Sequence, residues 1–315
     1  MNNSRCFYCY RPLENGETDF HPACSKKFFS STMPPALPYT ENQIEELGLE
    51  IIRSRSTVTG VQAKLSLDIQ SGENKSEPKR FTIVGLWGGY ILKPPTPHYP
   101  HMPEVEDLTM HLAELAKIAT VPHSLIRMQS GSLAYITRRV DRTKNGKLHM
   151  EDMCQLTERL TEQKYHGSYE QIAKANVQYS VHPLFDVINF YEQVLFSFLT
   201  GNADMHLKNF SLYDRPSIGY TLAPAYDLLA TALVNPADKE ELALTLNGKK
   251  RHIGRKDFTA AFTTAQLDEK QQKNIFAKFA KAMPEWVRFI DISFLDGRMK
   301  KAYKQLVTDR FQRLQ

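Results

Sequence analysis

The stretch TGNADMHLKNFSL, residues 200–212, decides how this chain is read. Asp204, His206, Lys208 and Asn209 fall within six positions of one another. They follow PLFDVINFYEQVLFSFL, residues 183–199, which is apolar on most helical faces and predicts a buried helix. Two charges, a histidine and an asparagine at the mouth of a core cost free energy unless they are paired or used. A loop fixed to a buried helix is a rigid mount for such groups.

Asp204 and Asn209 form D-x4-N. Protein kinases use this separation for an aspartate that accepts the substrate hydroxyl proton and an asparagine that holds magnesium. Eighteen residues beyond Asn209 stands Asp227, in PAYDLL. The intervening FSLYDRPSIGYTLA reads as two short strands around a turn at residues 214–217. A kinase carries its main metal-ligating carboxylate after such a hairpin. Magnesium takes few protein oxygens beside phosphates and water, so one Asn and one Asp suffice. The plainer alternatives are a loop-capping carboxylate at Asp204 and a helix N-cap at Asp227.

Upstream, alternation at Val61, Ala63, Leu65, Leu67 and Ile69 predicts a half-buried strand. Residues 71–79 read as a polar turn. RFTIVGLWGGYILKPP, residues 80–95, gives two strand-like pieces broken by Gly88-Gly89. Val105, Leu108, Leu112, Leu115 and Ala119 predict an amphipathic helix over 103–119, with Pro103 near its start. GSLAYITRRV, residues 131–140, is a further strand. A short helix is expected over 41–53, from Ile44, Leu47 and Ile51. Residues 41–142 thus form an α+β lobe on an antiparallel sheet, and residues 143–315 a larger, mainly helical lobe with long helices near 255–281 and 285–313. The first 40 residues stand apart, ending in the proline-rich joint MPPALP.

Lys93 ends the apolar strand YILK, where kinases place the lysine that grips ATP phosphates; an edge lysine is the alternative. On the following helix Glu106 is available to pair with it, with Glu104 and Glu114 as rivals. SRSTVTG, residues 54–60, precedes the first strand and has Gly60 as its one glycine. It is neither a Walker loop nor G-x-G-x-x-G. Its backbone N–H groups could meet phosphates, and its hydroxyls, Ser54, Ser56, Thr57 and Thr59, could be phosphorylated. A phosphate there adds about −1.5 to −2 charges beside a phosphate-binding pocket, which suggests self-inactivation. Cys6, Cys9, His21 and Cys24 read C-x2-C-x11-H-x2-C, a candidate structural zinc set; the alternative is reduced thiols packing a small turn.

Apolar residues make up 42% of the 315 and charged residues 24%, a globular composition with room for one large domain or two lobes. The net charge of +5 demands no nucleic acid. No run of about 18 apolar residues occurs, so no membrane span is expected. With no secretory pattern at the start, the expected location is cytoplasmic, although an effector delivered into another cell would read the same.

Taken together, TGVQAKLSL, YILKPP, ITRRVDR, EDMCQL, GNADMHLKNFSL and PAYDL resemble the HipA family of bacterial toxin serine/threonine kinases. The resemblance implies a two-lobed, protein-kinase-like fold. It implies Asp204 as catalytic aspartate, Asn209 and Asp227 as magnesium ligands, Lys93 on the ATP phosphates and Glu106 as its helix partner. Arg138, Arg139 and Val140 would form the adenine hinge, largely through backbone groups. His206 would brace the catalytic loop and Lys208 would touch the γ-phosphate. Autophosphorylation would fall on Thr57 or Thr59, aligned on Gly60, with Ser54 and Ser56 as alternatives. An aminoacyl-tRNA synthetase is the implied protein substrate. The extra N-terminal subdomain of long members is not expected here, a point of resemblance to the short HipT type of three-component systems. Its partners would then be a small HipS-like protein and a helix-turn-helix antitoxin that carries the DNA contact. A lipid or small-molecule kinase, or a pseudokinase that only binds, are the competing readings.

Overall fold

The computed structural model describes residues 5–14, 16–44, 46–47, 64–70, 79–84 and 88–315. The expected phosphate loop, residues 54–60, and Val61 and Ala63 of the expected first strand lie outside the described residues. The chain divides into two compact units, Met1–Asp107 with Val121–Arg139, and Leu108–Thr120 with Val140–Gln315. Among the described residues no helix is long and apolar enough to cross a membrane.

The first unit is built on a five-stranded antiparallel sheet. Its strands are β1 (Leu65–Gln70), β2 (Arg80–Ile83), β3 (Tyr90–Lys93), β4 (His123–Arg127) and β5 (Leu133–Arg138), in the order β2-β1-β3-β5-β4. Alternation in β1 buries Leu65 and Leu67, opposite Leu92 and Tyr90 of β3. Pro94 and Pro95 end β3 because neither can donate to a ladder. Strand β4 was not anticipated from the sequence: His123–Ile126 are all buried, so the strand has no period of two to read. The Cys/His segment, with helix Pro22–Phe29, belongs to this unit.

The helix expected over 103–119 spans Met102–Leu115. The amphipathic reading needs correction, since every residue from Val105 to Ala113 is buried, including Glu106, Asp107, Thr109 and His111. Counting apolar residues alone hides a helix whose polar groups are paired inside.

In the second unit, β6 (Arg142–Thr143) and β7 (Gly146–Lys147) form a small hairpin. Strands β8 (Met150–Asp152), β9 (Ser211–Arg215) and β10 (Gly219–Leu222) form a three-stranded antiparallel sheet; β9 and β10 are joined by a turn at residues 216–218, and Asp214 and Arg215, expected in the turn, lie in β9. The quoted apolar run is a helix, Pro183–Thr200, buried at every residue from Phe190 onward. Its aromatic residues meet Trp286, Phe258 and Phe210 edge to face, with centroids 5.5, 5.6 and 4.9 Å apart. The late helices divide differently from expectation. Arg255–Thr264 is followed by one long helix, Glu269–Asp291, that runs through Pro284, and then by Gly297–Gln312. Pro284 is exposed, while Ile275, Phe279, Met283, Trp286 and Ile290 hold the helix to the core across it. The break falls instead at Asp268, whose capping box with Gln271 starts the long helix.

Gly201 ends the buried helix in the left-handed region, φ +72°, and aims the next residues away from the helix axis. A Cβ here would sit 2.8 Å from Leu306 and 3.0 Å from Ala232. Gly201→Ala should therefore destabilise the chain by about 1–3 kcal/mol, read as a lower urea midpoint at unchanged slope. An unchanged midpoint would mean the turn is not held as described.

Candidate active site

The residues after Gly201 form a loop fixed at both ends by hydrogen bonds. Thr231 Oγ1 accepts from the Ala203 amide at 2.8 Å and donates to the Gly201 carbonyl at 3.2 Å. The buried Tyr169 hydroxyl donates to the Met205 carbonyl at 3.1 Å. Inside the loop, Asn202 Oδ1 accepts from the Asp204 amide (3.1 Å), and the His206 amide donates to the Asp204 carbonyl (2.8 Å). Asn209 Nδ2 donates to that same carbonyl at 2.9 Å, which ties the two ends of D-x4-N together. The amide's other atom, Oδ1, has no protein partner among the described residues.

The Asp204 side chain is half-buried. Its Oδ1 accepts from the Tyr165 hydroxyl at 2.5 Å, and the Tyr165 ring lies edge-on to His206, 5.0 Å between centroids. Burial pushes the Tyr165 phenol up, and Asp204, then Asp227, push it further. Sequence reasoning missed Tyr165; it lies in TEQKYHG, where nothing in pattern or spacing singles it out. Asp227 follows β10 and adopts φ +60°, an uncommon conformation for a residue with a side chain.

Lys208 shares the loop, but its ammonium pairs with Asp152 Oδ2 at 2.7 Å. Asp152 also caps helix Met153–Leu156 through Oδ1, in a capping box with Gln155 that is legible in EDMCQ. Tyr226, beside Asp227, donates to the Lys208 carbonyl (3.1 Å) and meets the Ser211 hydroxyl (2.6 Å).

The first unit carries the second cluster. Lys93 and Glu106 form a salt bridge with side chains 5% and 1% exposed. The rivals on the helix are engaged elsewhere: Glu104 meets His101 at 3.4 Å, and Glu114 accepts from Thr120 at 3.2 Å. The Lys93 ammonium also lies 5.4 Å from the centroid of Tyr135, opposite it in β5. Next to Glu106, Asp107 accepts from His123 Nδ1 (2.7 Å) and the Tyr10 hydroxyl (2.8 Å). In the expected hinge, the Arg138 amide donates to Pro122 and the Arg139 amide to Gly89, each at 2.9 Å, so both donors are used within the sheet. Val140 is the first residue of the second unit's longer segment. Cys6, Cys9, His21 and Cys24 come together in this first unit.

Breaking one side of a buried ion pair strands the other charge. Lys93→Leu and Glu106→Leu should each lower unfolding free energy by about 3–5 kcal/mol, and the double variant by less than their sum. Urea denaturation of the cycle measures this; additive losses would mean that the pair is not coupled.

Several known proteins resemble this chain. Two relatives carry the name "Putative kinase": Y4dM of Sinorhizobium fredii, 29% identical over 69% of this chain and 55% of that protein, and a Haemophilus influenzae protein, 26% identical over 72% and 68%. The chain thus spans about half the length of the first. Among solved structures, HipA of the Shewanella oneidensis toxin–antitoxin system, solved with HipB and operator DNA, matches with a TM-score of 0.68 at 21% identity, covering 96% of this chain and 80% of that one. The Helicobacter pylori proinflammatory kinase CtkA matches at 0.53 and 14% identity, covering 79% and 93%. These likenesses give the chain a HipA-like, kinase-like fold. The HipA-like C-terminal domain model matches residues 56–287, and the chain belongs to that family.

Proposed function

We propose that this chain is an ATP- and magnesium-dependent protein kinase acting on serine or threonine hydroxyls, the toxin of a toxin–antitoxin system. The observation that carries the reading is the Asn209 amide held on the Asp204 carbonyl. It fixes the asparagine's oxygen and the aspartate's carboxylate on one short loop.

The donor set suits a hard divalent cation. The amide oxygen of Asn209 and the carboxylate of Asp227 are oxygen ligands of the kind magnesium takes beside phosphates and water. Magnesium bound there with ATP would offset the charge that develops on the transferred phosphoryl group. Asp204 orients the acceptor hydroxyl and takes its proton. Tyr165 occupies Oδ1 and leaves Oδ2, which has no partner among the described residues, for that task. Lys93, held by Glu106, supplies a fixed positive charge for the nucleotide phosphates. Lys208 neutralises Asp152 and steadies the loop, a different role from the γ-phosphate contact that the resemblance implies.

The HipA neighbour was solved with HipB and DNA, which supports a DNA-binding antitoxin as partner here. An aminoacyl-tRNA synthetase as substrate, a HipS-like protein as second partner, a cytoplasmic site of action and autophosphorylation within residues 54–59 follow from the family resemblance.

Intact-protein mass spectra before and after incubation with ATP and magnesium test the reading. The unmutated chain should gain phosphoryl mass, located by fragmentation to residues 54–59. Asp204→Asn should slow the gain by about 10²–10⁴-fold, and Asp227→Asn comparably. No gain, in a chain that also arrives unphosphorylated and modifies no protein, overturns it in favour of a pseudokinase or a kinase with a non-protein acceptor.

A further inference from the structure

Among the described residues outside the candidate active site, one cluster joins three sulfurs and an imidazole. Cys6, Cys9, His21 and Cys24 each offer one ligand atom, and all four atoms lie within 4.8 Å of one another. The three cysteines are unbridged. Two backbone devices bring them together. Cys6 and Cys9 flank a tight turn in which the Tyr10 amide donates to the Cys6 carbonyl and the Cys6 amide to the Arg11 carbonyl, both at 2.9 Å. His21 and Cys24 sit at the start of helix Pro22–Phe29, His21 at its N-cap. The Phe7 amide donates to the Asp19 carbonyl at 2.8 Å and stitches the two loops to each other.

The histidine is oriented for ligation. His21 Nε2 lies 3.0 Å from the Pro12 carbonyl, which can only accept, so the proton belongs on Nε2. The lone pair is then on Nδ1, which faces Cys9 Sγ at 3.4 Å and Cys24 Sγ at 3.7 Å. A second hydrogen bond that fixes tautomer and ring plane is characteristic of metal-bound histidine. Three soft sulfurs and one imidazole favour zinc in a tetrahedral site and disfavour magnesium or calcium.

We propose that Cys6, Cys9, His21 and Cys24 bind one structural zinc ion that fixes the two loops of the N-terminal segment to each other within the first unit. On binding, the three thiols release their protons to solvent and the thiolates and Nδ1 close the tetrahedron. The segment so fixed is packed hard on the sheet. Phe28 and Phe29 meet Tyr90 and Phe81 with ring centroids 5.9 Å apart in each pair. Asp19 takes a two-pronged hydrogen bond from Arg127 of β4. Tyr10, one residue past Cys9, reaches the buried Asp107 beside Glu106. The ion thereby braces the helix that carries the partner of Lys93.

The test uses the full, tag-free chain purified under reducing conditions. Metal analysis should find about one zinc per chain. After chelation and reloading with cobalt(II), the absorption spectrum should show thiolate-to-cobalt charge transfer and tetrahedral d–d bands. Cys9→Ser and Cys24→Ser should lose the zinc, while Cys154→Ser keeps it. Stripping the metal from the unmutated chain should lower Tm by roughly 5 °C or more. A reduced, folded chain that holds no zinc and gives no cobalt–thiolate absorption overturns the proposal, whatever its kinase activity.

Discussion

The hydrogen bond from Asn209 to the Asp204 carbonyl is the constraint around which the second unit is arranged. The loop it closes emerges from a helix buried at eleven consecutive positions, 190–200, so its backbone groups cannot all turn to water. Each must find a partner nearby, and the partners come from distant parts of the chain. Thr231 serves the entrance, Tyr169 the middle and Tyr226 the exit. Their side chains are dictated less by local propensity than by the polar atoms the loop leaves inside. The result is a half-buried carboxylate and a buried amide on a backbone held by hydrogen bonds along its length.

A comparable constraint runs through the first unit. Adjacent residues of a helix point about 100° apart, so Glu106 and Asp107 present carboxylates in different directions from one turn. Glu106 meets the sheet lysine, and Asp107 meets Tyr10 and His123. Tyr135 lies beside both sets, with its ring 5.4 Å from the Lys93 ammonium and stacked 6.2 Å from His123. Burial, then the Asp107 charge, raises the Tyr10 phenol, which keeps it protonated as the donor. A buried network of this kind is stable only when its members are satisfied together.

Much of this was legible in the sequence, for physical reasons that also explain the gaps. Strand β1 shows a period of two because one face is buried, whereas β4, buried throughout, shows none. The loop motif was legible because D-x4-N is local. Tyr165 was not, because its partner Asp204 lies 39 residues away and only the fold brings them together. Among three candidate acids, spacing alone could not choose Glu106; the choice follows from which side chain can reach Lys93 and which are engaged by His101 and Thr120. Pro284 reads as a helix break, but a proline on an exposed face removes one hydrogen bond and leaves the apolar stripe intact.

Asp227 at +60° and, in the Cys/His segment, Tyr10 and Asp19 at +61° hold a positive φ. Such conformations cost on the order of 1–3 kcal/mol and persist only where neighbours over-determine them. Tyr226, bonded to Ser211 and to the Lys208 carbonyl, and the buried Leu228 and Leu229 flank Asp227, so the turn is held from both sides. Tyr10 follows the second cysteine of its turn, where a glycine would be free of strain. Its phenol is wholly buried and bonded to Asp107, and glycine could supply neither. The strain in that turn is thus retained because the side chain ties the Cys/His segment to the helix of Glu106. A change that relaxed the turn would also cut that tie.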